Sequence, residues 1–430
     1  MKVLIITYYW PPSGGSGVQR WLKFVKYLPD FGVIPVVYTV DDPNYAMTDQ
    51  SLKGEISEKV KVIKGKIWEP QQVLSWMGRK TNKTSAGFLN AEPSLFDKFM
   101  RFIRANYFIP DSRKFWIKPS VKILSDYIKN NQIDFLISTG PPHSTHLIAL
   151  ELKEKFGLKW VADFRDPWTG IDYFHNLPLT EGSKRKHIEL EKKVLSSADQ
   201  VIVVGETMKR EFLKYNDRVK VISNGFDSYE SDQEISMDKN FTITYAGLMN
   251  SDRNPQILWK VLGALAAADK TFKRDLKLIF VGSCSDEVLA SIDEFGLSGN
   301  LNDKGYCDHQ EVTNFQRAAQ VLLLTVNNVP SAKGIVTGKV FEYLQAKRPI
   351  LAIGPVDGDL AKIMQETNSG RIVDFSDESG MLEVVQDYYK AFKKGHLEVD
   401  SAGIDKYHRK SLAKELFETL KELKQIDQTE

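Results

Sequence analysis

The chain has 430 residues, of which 42% are hydrophobic and 27% charged, and a formal net charge of +2. That length implies more than one hydrophobic core, and the near balance of charge argues against a dedicated nucleic-acid binder. Two cysteines, Cys284 and Cys307, stand without CxxC spacing, which argues against a disulfide framework or a zinc site and fits a reducing compartment.

The opening run, "MKVLIITYYWPPSGG", is too short in apolar residues for a signal peptide, and no stretch reaches the ~18 apolar residues of a spanning helix. A cytoplasmic protein that at most rests peripherally on a membrane is expected. Short β-rich apolar runs occupy 2–9, 34–40, 134–139, 159–164, 200–205 and 219–223, as suits strands buried on both faces of a parallel sheet. After the first run, Val18, Trp21, Leu22, Val25 and Leu28 recur at helical spacing. Leu147, Leu150 and Leu152 do likewise ahead of Gly157. Residues 94–108 align Leu95, Phe99, Phe102 and Ile103 on one helical face with Lys98, Arg101 and Arg104 nearby. Core packing is one reading of that face, and docking on an anionic membrane surface is the other.

A polar, turn-rich stretch at 223–240 separates this half from a second with the same rhythm, its apolar runs at 241–247, 276–282, 321–326, 349–354 and 371–375. An amphipathic helix from Tyr407 closes the chain. The alternation predicts an α/β protein of two Rossmann-like, doubly wound parallel-sheet domains facing a cleft. The domains are placed at 1–225 and 226–395, with a C-terminal helical segment at 396–430.

Ligands of such sheets bind beyond the carboxyl ends of the strands, so the loops there carry the candidate residues. Gly14, Gly15 and Gly17 follow the first strand and open the first helix, where glycine lets backbone approach a phosphate. Their spacing is not GxGxxG, and a flexible turn after Pro11-Pro12 is the alternative. His143 stands at the mouth of a helix, while Arg165 and Asp166 leave their strand beside Trp168. That adjacent pair is either functional or a structural ion pair, and His146 is assigned to structure. In the second half, Gly247 leaves a strand and Arg253 follows it.

Thr337, Gly338 and Lys339 lead into the helix "KVFEYLQA". The N–H groups of Gly338 and Lys339 are expected to be free, and a helix end contributes ~0.3–1 kcal/mol toward an anion. Together with the lysine this suits a diphosphate. Glu342, a turn deeper, would repel phosphate but accept hydrogen bonds from a ribose diol, so a sugar nucleotide fits better than inorganic phosphate. No HExxH, Walker lysine or GxSxG motif appears, and Asp357-x-Asp359 is an isolated loop pattern.

The glycine loop, "EKKVLSSADQVIVVGETMKREF", "VKVISNGFD", "YAGLMNSDRNP" and "GKVFEYLQAKRPILAIG" run in that order along almost the whole chain. As an ordered set they resemble a GT-B glycosyltransferase and are similar to the retaining glycosyltransferase family 4 group. The resemblance implies a C-terminal domain that binds a UDP- or GDP-linked sugar, an N-terminal domain that binds a saccharide or lipid-linked acceptor, and a last helix that crosses back to the N-terminal domain. It implies hexosyl transfer in polysaccharide or glycolipid synthesis, with retained anomeric configuration and no metal or cofactor. The donor would meet Gly247, Arg253, Thr337, Gly338, Lys339 and Glu342, with Tyr306 and Cys307 near the base and Gly15 reaching in from the acceptor side. Arg165, Asp166 and His143 are the candidates at the reacting centre, undecided among themselves. Three positions depart from the family: Gly334 replaces the first glutamate of Glu-x7-Glu, Leu248 replaces an arginine that Lys339 would stand in for, and Arg165 replaces a histidine common in relatives. Two other readings stay open: a sugar-nucleotide epimerase of the same fold and, because of the missing first glutamate and the altered histidine position, a non-catalytic sugar-nucleotide or lipid-binding partner.

Overall fold

The computed structural model describes every residue except 42–44, 46, 69–94, 229–234 and 427–430. Part of the 223–240 connection and the first residue of the 94–108 pattern therefore lie outside the described residues. The chain divides into two compact units: Met1–Asn224 with Arg409–Glu430, and Gly225–His408.

The first unit holds a seven-stranded sheet made of β1 (Lys2–Ile6), β2 (Ile34–Asp41), β3 (Lys61–Lys66), β4 (Phe135–Gly140), β5 (Lys159–Phe164), β6 (Gln200–Val203) and β7 (Val219–Val221). The strand order is 3-2-1-4-5-6-7 and every pairing is parallel. Its helices are α1 (Ser16–Tyr27), α2 (Leu95–Tyr107), α3 (Ile117–Lys129), α4 (Ser144–Phe156), α5 (Glu181–Ser197) and α6 (Glu206–Phe212). Successive strand residues point to opposite faces, which explains why the runs are continuously apolar. Val3, Ile5, Ile137 and Val161 join Trp21 and Leu22 in one core. Leu4, Ile6, Leu136 and Ala162 join Trp116 and Trp160 in the other.

The second unit repeats the plan with β8 (Phe241–Ala246), β9 (Leu276–Val281), β10 (Leu301–Asp303), β11 (Val321–Thr325), β12 (Ile350–Ile353) and β13 (Gly370–Val373). Counted from its own first strand, the six-stranded parallel sheet has order 3-2-1-4-5-6. Its helices are α7 (Gln256–Ala268), α8 (Lys270–Asp275), α9 (Asp286–Glu294), α10 (His309–Ala318), α11 (Lys339–Ala346), α12 (Asp359–Thr367) and α13 (Glu378–Lys393). Leu351 and Ile353 face one core, and Ile350 and Ala352 the other. The last helix, α14 (Arg409–Ile426), belongs to the first unit, where Leu412, Leu416 and Leu420 pack into the core that holds Trp21.

Each predicted apolar run contains a strand. The two strands without a predicted run, β3 and β10, are edges of their sheets. Edge strands carry charge that discourages further pairing, and lysines interrupt β3 (KVIKGK) while β10 is only three residues long. Among the described residues no helix is long and apolar enough to cross a membrane.

Candidate functional site

In the second unit the candidate residues gather beyond the carboxyl end of β8. Gly247 takes φ 113°, in the region that disfavours residues with a Cβ. A Cβ there would lie 2.8 Å from Lys339 Cε and 2.9 Å from its Nζ, so the missing side chain is the space the lysine fills. Lys339 Nζ donates to Tyr245 Oη at 2.6 Å and lies 3.9 Å from the centroid of that ring. The Tyr245 hydroxyl in turn donates to the Leu248 carbonyl at 2.7 Å. α11 is fixed to the strand end through Tyr343, whose hydroxyl accepts the Ala246 N–H at 3.1 Å.

Lys339 has no carboxylate within ion-pair distance among the described residues. The protein packed about its ammonium, reinforced by the Arg253 charge and partly opposed by Glu342, holds its pKa down to about 7. Arg253 is aimed by two acceptors, Asn327 Oδ1 at 2.7 Å from Nε and the Leu248 carbonyl at 3.4 Å from Nη1. It borders a pocket of about 170 Å³ lined also by Asn254, Pro255, Thr325, Val326 and Asn328. On the same loop, Asn250 Oδ1 is buried without a hydrogen-bond partner among the described residues.

The helix entrance differs from expectation in one respect. The Lys339 N–H is not free but donates to Thr337 Oγ1, at a long 3.3 Å. Gly338 keeps an N–H without a partner among the described residues. Glu342 is exposed and accepts from Gln316 Nε2 of α10 at 3.3 Å. Tyr306 is 93% exposed and Cys307 half-buried in the loop before α10, and among the described residues neither hydrogen-bonds to another candidate residue. Asp357 pairs with Lys333 at 2.6 Å, and among the described residues no His, Cys, Asp and Glu side chains come together as a metal-holding group.

In the first unit, Gly15 is exposed at the mouth of α1 with φ 84°. Arg165 and Asp166 do not form the ion pair that was one of the two readings, among the described residues. The Arg165 guanidinium is committed to backbone: Nη1 donates to Gly17 O at 2.6 Å, Nε to Gly140 O at 3.3 Å, and Nη2 to Pro141 O. It ties the glycine loop to the end of β4. Asp166 accepts no hydrogen bond among the described residues and is exposed. The protein crowded around it pushes its carboxyl up, with Arg165 opposing. His143 precedes α4, whose first turn is capped by Asp111 through the Ser144 N–H at 2.9 Å and Oγ at 2.8 Å. The His143 ring stacks on Trp168 with centroids 4.6 Å apart and planes 2° from parallel. Burial, then the neighbouring His146, Arg165 and His187, hold its pKa well below the usual histidine range. It is a neutral ring and a weak base. His146, assigned to structure, is buried, pairs through Nδ1 with Ser138 Oγ at 2.8 Å, and has its pKa driven down to about 3 by burial.

Sequence reading missed the most tightly held polar group of this unit. Asp163, fully buried in β5, receives Arg20 Nη2 at 2.8 Å, Trp21 Nε1 at 2.7 Å and Thr139 Oγ1 at 2.8 Å. Arg20 also donates to the carbonyls of Ile222 and Ser223. The signal was an acid inside the apolar run "KWVADF", because a carboxylate buried on both faces of a sheet requires a cation. Glu191 was missed too; it accepts the N–H groups of Trp168 at 3.1 Å and Thr169 at 3.3 Å and so anchors the loop that holds Asp166.

Residues 85–229 match the family model described as Glycosyltransferase Family 4. That segment lies almost wholly in the first unit, whereas the cluster around Lys339 lies outside it. No curated protein matches the chain by sequence. Among solved structures the chain is similar to sucrose-phosphate synthase from Thermosynechococcus elongatus, with a TM-score of 0.59, 12% identity, and 98% of each chain covered. It is similar to Anabaena HepE in complex with UDP-glucose, with a TM-score of 0.60 and 12% identity over 98% of this chain and 100% of that one. A mutant S. aureus TarM in complex with fondaparinux, alpha-GlcNAc-glycerol and UDP gives a TM-score of 0.57 and 13% identity over 97% and 99%. At such identities the structures establish the fold, which is GT-B along the chain. The resemblance to family 4 glycosyltransferases rests on the match at 85–229.

Proposed function

We propose that this protein is a glycosyltransferase that moves a hexosyl group from a UDP- or GDP-linked sugar to a hydroxyl of a saccharide or lipid-linked acceptor. The observation that carries this reading is Lys339, a cation without a carboxylate within ion-pair distance among the described residues, set against Gly247 and beside Arg253 at the start of α11. Two linked phosphates would meet the Lys339 ammonium, the Arg253 guanidinium and the Gly338 N–H. Glu342 stands one turn further along α11, where its carboxylate would accept hydrogen bonds from the ribose diol. Preorganised positive charge at a departing diphosphate is the strongest catalytic device such a site can offer. In this reading Lys339 and Arg253 supply the charge that a metal supplies elsewhere.

The first unit would contribute the acceptor side. A neutral, weakly basic His143 is ill suited to removing the acceptor's proton, which favours a front-face route in which the leaving phosphate takes it and configuration is retained. Asp166, unpaired by its neighbour, would orient the acceptor hydroxyl, while Arg165 holds the loops in place. HepE in complex with UDP-glucose and TarM in complex with UDP make sugar nucleotides the first donors to test.

The test is turnover of radiolabelled UDP- and GDP-sugars with a panel of saccharide and lipid-linked acceptors, with and without a chelator. Transfer in chelator is the expected result. Absence of both transfer and slow donor hydrolysis across the panel would overturn the reading. Conversion of donor alone, without acceptor, would indicate an epimerase instead.

A further inference from the structure

The sequence holds only two cysteines, Cys284 and Cys307, and the fold sets them on neighbouring segments of one sheet. β9 and β10 pair in parallel, with Leu278 against Leu301, Ile279 against Asn302 and Phe280 against Asp303. The pairing outlasts the strands: the Lys304 N–H donates to Phe280 O at 2.8 Å, and the Gly282 N–H to Gly305 O at 2.7 Å. Two residues beyond that last bond, in the same register, stand Cys284 and Cys307. Neighbouring strands lie ~4.8 Å apart, within the ~4.4–6.8 Å that separates the α-carbons of a disulfide.

The two sides of this pair differ in freedom. Cys284 is fixed, because its segment goes on to pair with the turn after β8. There the Met249 N–H donates to Ser283 O at 2.9 Å and the Ser285 N–H to Met249 O at 3.0 Å. Its side chain is half-buried against the core of the second unit. Cys307 stands in a short loop. Gly305 turns the chain at φ 62°, Tyr306 is 93% exposed, and Asp308 then opens α10 with a capping box. Among the described residues the half-buried Cys307 thiol makes one long, weak bond, to Lys304 O at 3.9 Å. Burial, then the Asp303 and Asp286 charges, push the Cys284 thiol up to about 12, so Asp303 adjoins one sulfur as Lys304 adjoins the other.

We propose that Cys284 and Cys307 are an oxidant-responsive pair that closes into a single reversible disulfide. Both are thiols here, the state that a reducing compartment maintains. The oxidant is a small-molecule disulfide of the glutathione class. The Cys307 thiolate attacks it, forms a mixed disulfide and releases one glutathione thiolate; Cys284 then gives up its proton and attacks the Cys307 sulfur, releasing the second. Two protein thiols are oxidised, one glutathione disulfide is reduced to two glutathione thiols, and these take up the two protons. The Cys307 thiol is raised as well, by desolvation and then by Glu311 and Asp308, with Lys304 opposing. Exchange is therefore slow at neutral pH and quickens as pH rises. Cys284 also adjoins Tyr245, the acceptor of the Lys339 ammonium, so the bond forms beside the Lys339 cluster. The inference goes beyond sugar transfer and does not depend on it, because thiol exchange requires no nucleotide.

The experiment incubates the full chain, reduced and then freed of reductant, with glutathione disulfide at pH 7 and pH 8.5. Intact mass and peptide mapping read the products. The expected result is the loss of two hydrogens with no glutathione retained, one peptide pair joining Cys284 to Cys307, and the return of both thiols in dithiothreitol. Closure is at least about tenfold faster at pH 8.5. Cys284→Ser stops at one glutathione on Cys307, and Cys307→Ser reacts at least about tenfold more slowly than that variant. Circular dichroism checks that both variants fold. Two glutathiones on the parent, two surviving thiols at equilibrium, or a bond between chains on a non-reducing gel in place of the internal one would each overturn the proposal, and all three are read on the parent alone.

Discussion

If the second unit receives a diphosphate at Lys339, its affinity depends on pH in a way the structure specifies. In the free protein Lys339 has a pKa of about 7, burial being the larger cause and Arg253 the next. A bound diphosphate favours the ammonium and raises that pKa, so binding takes up protons. Below pH 6 the lysine is charged in both states and affinity is flat. As pH rises above 7 the free lysine must be protonated before it can pair. At pH 8.5, about 1.5 units above its pKa, affinity is about thirtyfold weaker than at pH 6, or ~2 kcal/mol. The ligand of choice is UDP-glucose, whose diphosphate does not titrate in this range. Isothermal calorimetry at pH 6, 7, 8 and 8.5 measures the dissociation constant. Two buffers of different ionisation enthalpy at pH 7 should report uptake of roughly half a proton. Lys339→Arg keeps its charge throughout and removes the slope, whereas Lys339→Met removes both slope and affinity. A parent affinity constant across this range, or the same slope in Lys339→Met, would refute the reasoning.

Gly247→Ala introduces a Cβ at φ 113° and 2.8 Å from Lys339 Cε; it should cost ~1–3 kcal/mol in urea unfolding and weaken UDP-glucose binding at least tenfold, and unaltered binding would show that the lysine does not depend on that space. Asp163→Asn leaves Arg20 buried against a neutral amide and should cost ~3–5 kcal/mol, with a loss below about 1 kcal/mol in urea titration counting against the buried-pair argument. The cation and three donors around Asp163 overcome its burial and depress its carboxyl, so its stabilisation is present above the unfolded carboxylate pKa of about 4 and lost as pH falls through the folded value; acid titration of the parent followed by circular dichroism checks this. Asp166→Asn should leave donor affinity unchanged and lower acceptor kcat/KM about tenfold, the worth of one hydrogen bond of ~1.4 kcal/mol; equal loss for donor hydrolysis without acceptor would assign Asp166 elsewhere.

The elements legible in the sequence are those whose environment is uniform along their length. β1 alternates Val3 and Ile5 into one core and Leu4 and Ile6 into the other, so every residue is apolar and the run stands out. β3 borders solvent on one side, and its lysines conceal it. The cluster at Lys339 was legible because Thr337, Gly338, Lys339 and Glu342 are neighbours on one helix entrance, where spacing translates directly into position. Two kinds of feature were not. The partners Arg20 and Asp163 lie 143 positions apart, and only the fold brings them together. Arg165 and Asp166 are the opposite case: adjacent in sequence, they lie in the bend after β5 and do not pair with each other among the described residues. Three backbone carbonyls compete for the guanidinium and win it.

Leu248 and Lys339 belong to one arrangement in the structure. Leu248 brings no charge to the turn, yet its carbonyl accepts both the Tyr245 hydroxyl and Arg253 Nη1, so the position still orients the groups around it. A charge reaches the same turn from α11, through a lysine whose Cε and Nζ occupy the space that a Gly247 side chain would fill. Such a lysine is expensive in the free protein: its pKa is lowered from the ordinary value of 10.5 to about 7, so its cost to folding grows as pH falls below 10.5 and is complete below about 7. Replacing it with methionine should therefore raise the melting temperature at pH 6 while abolishing tight nucleotide binding. Structural ion pairs do not have this signature, because their loss destabilises. In the reading proposed above, a cation that weakens the free protein, stands beside the pocket-lining Arg253 and has no carboxylate within ion-pair distance among the described residues would take its counter-charge from outside the chain.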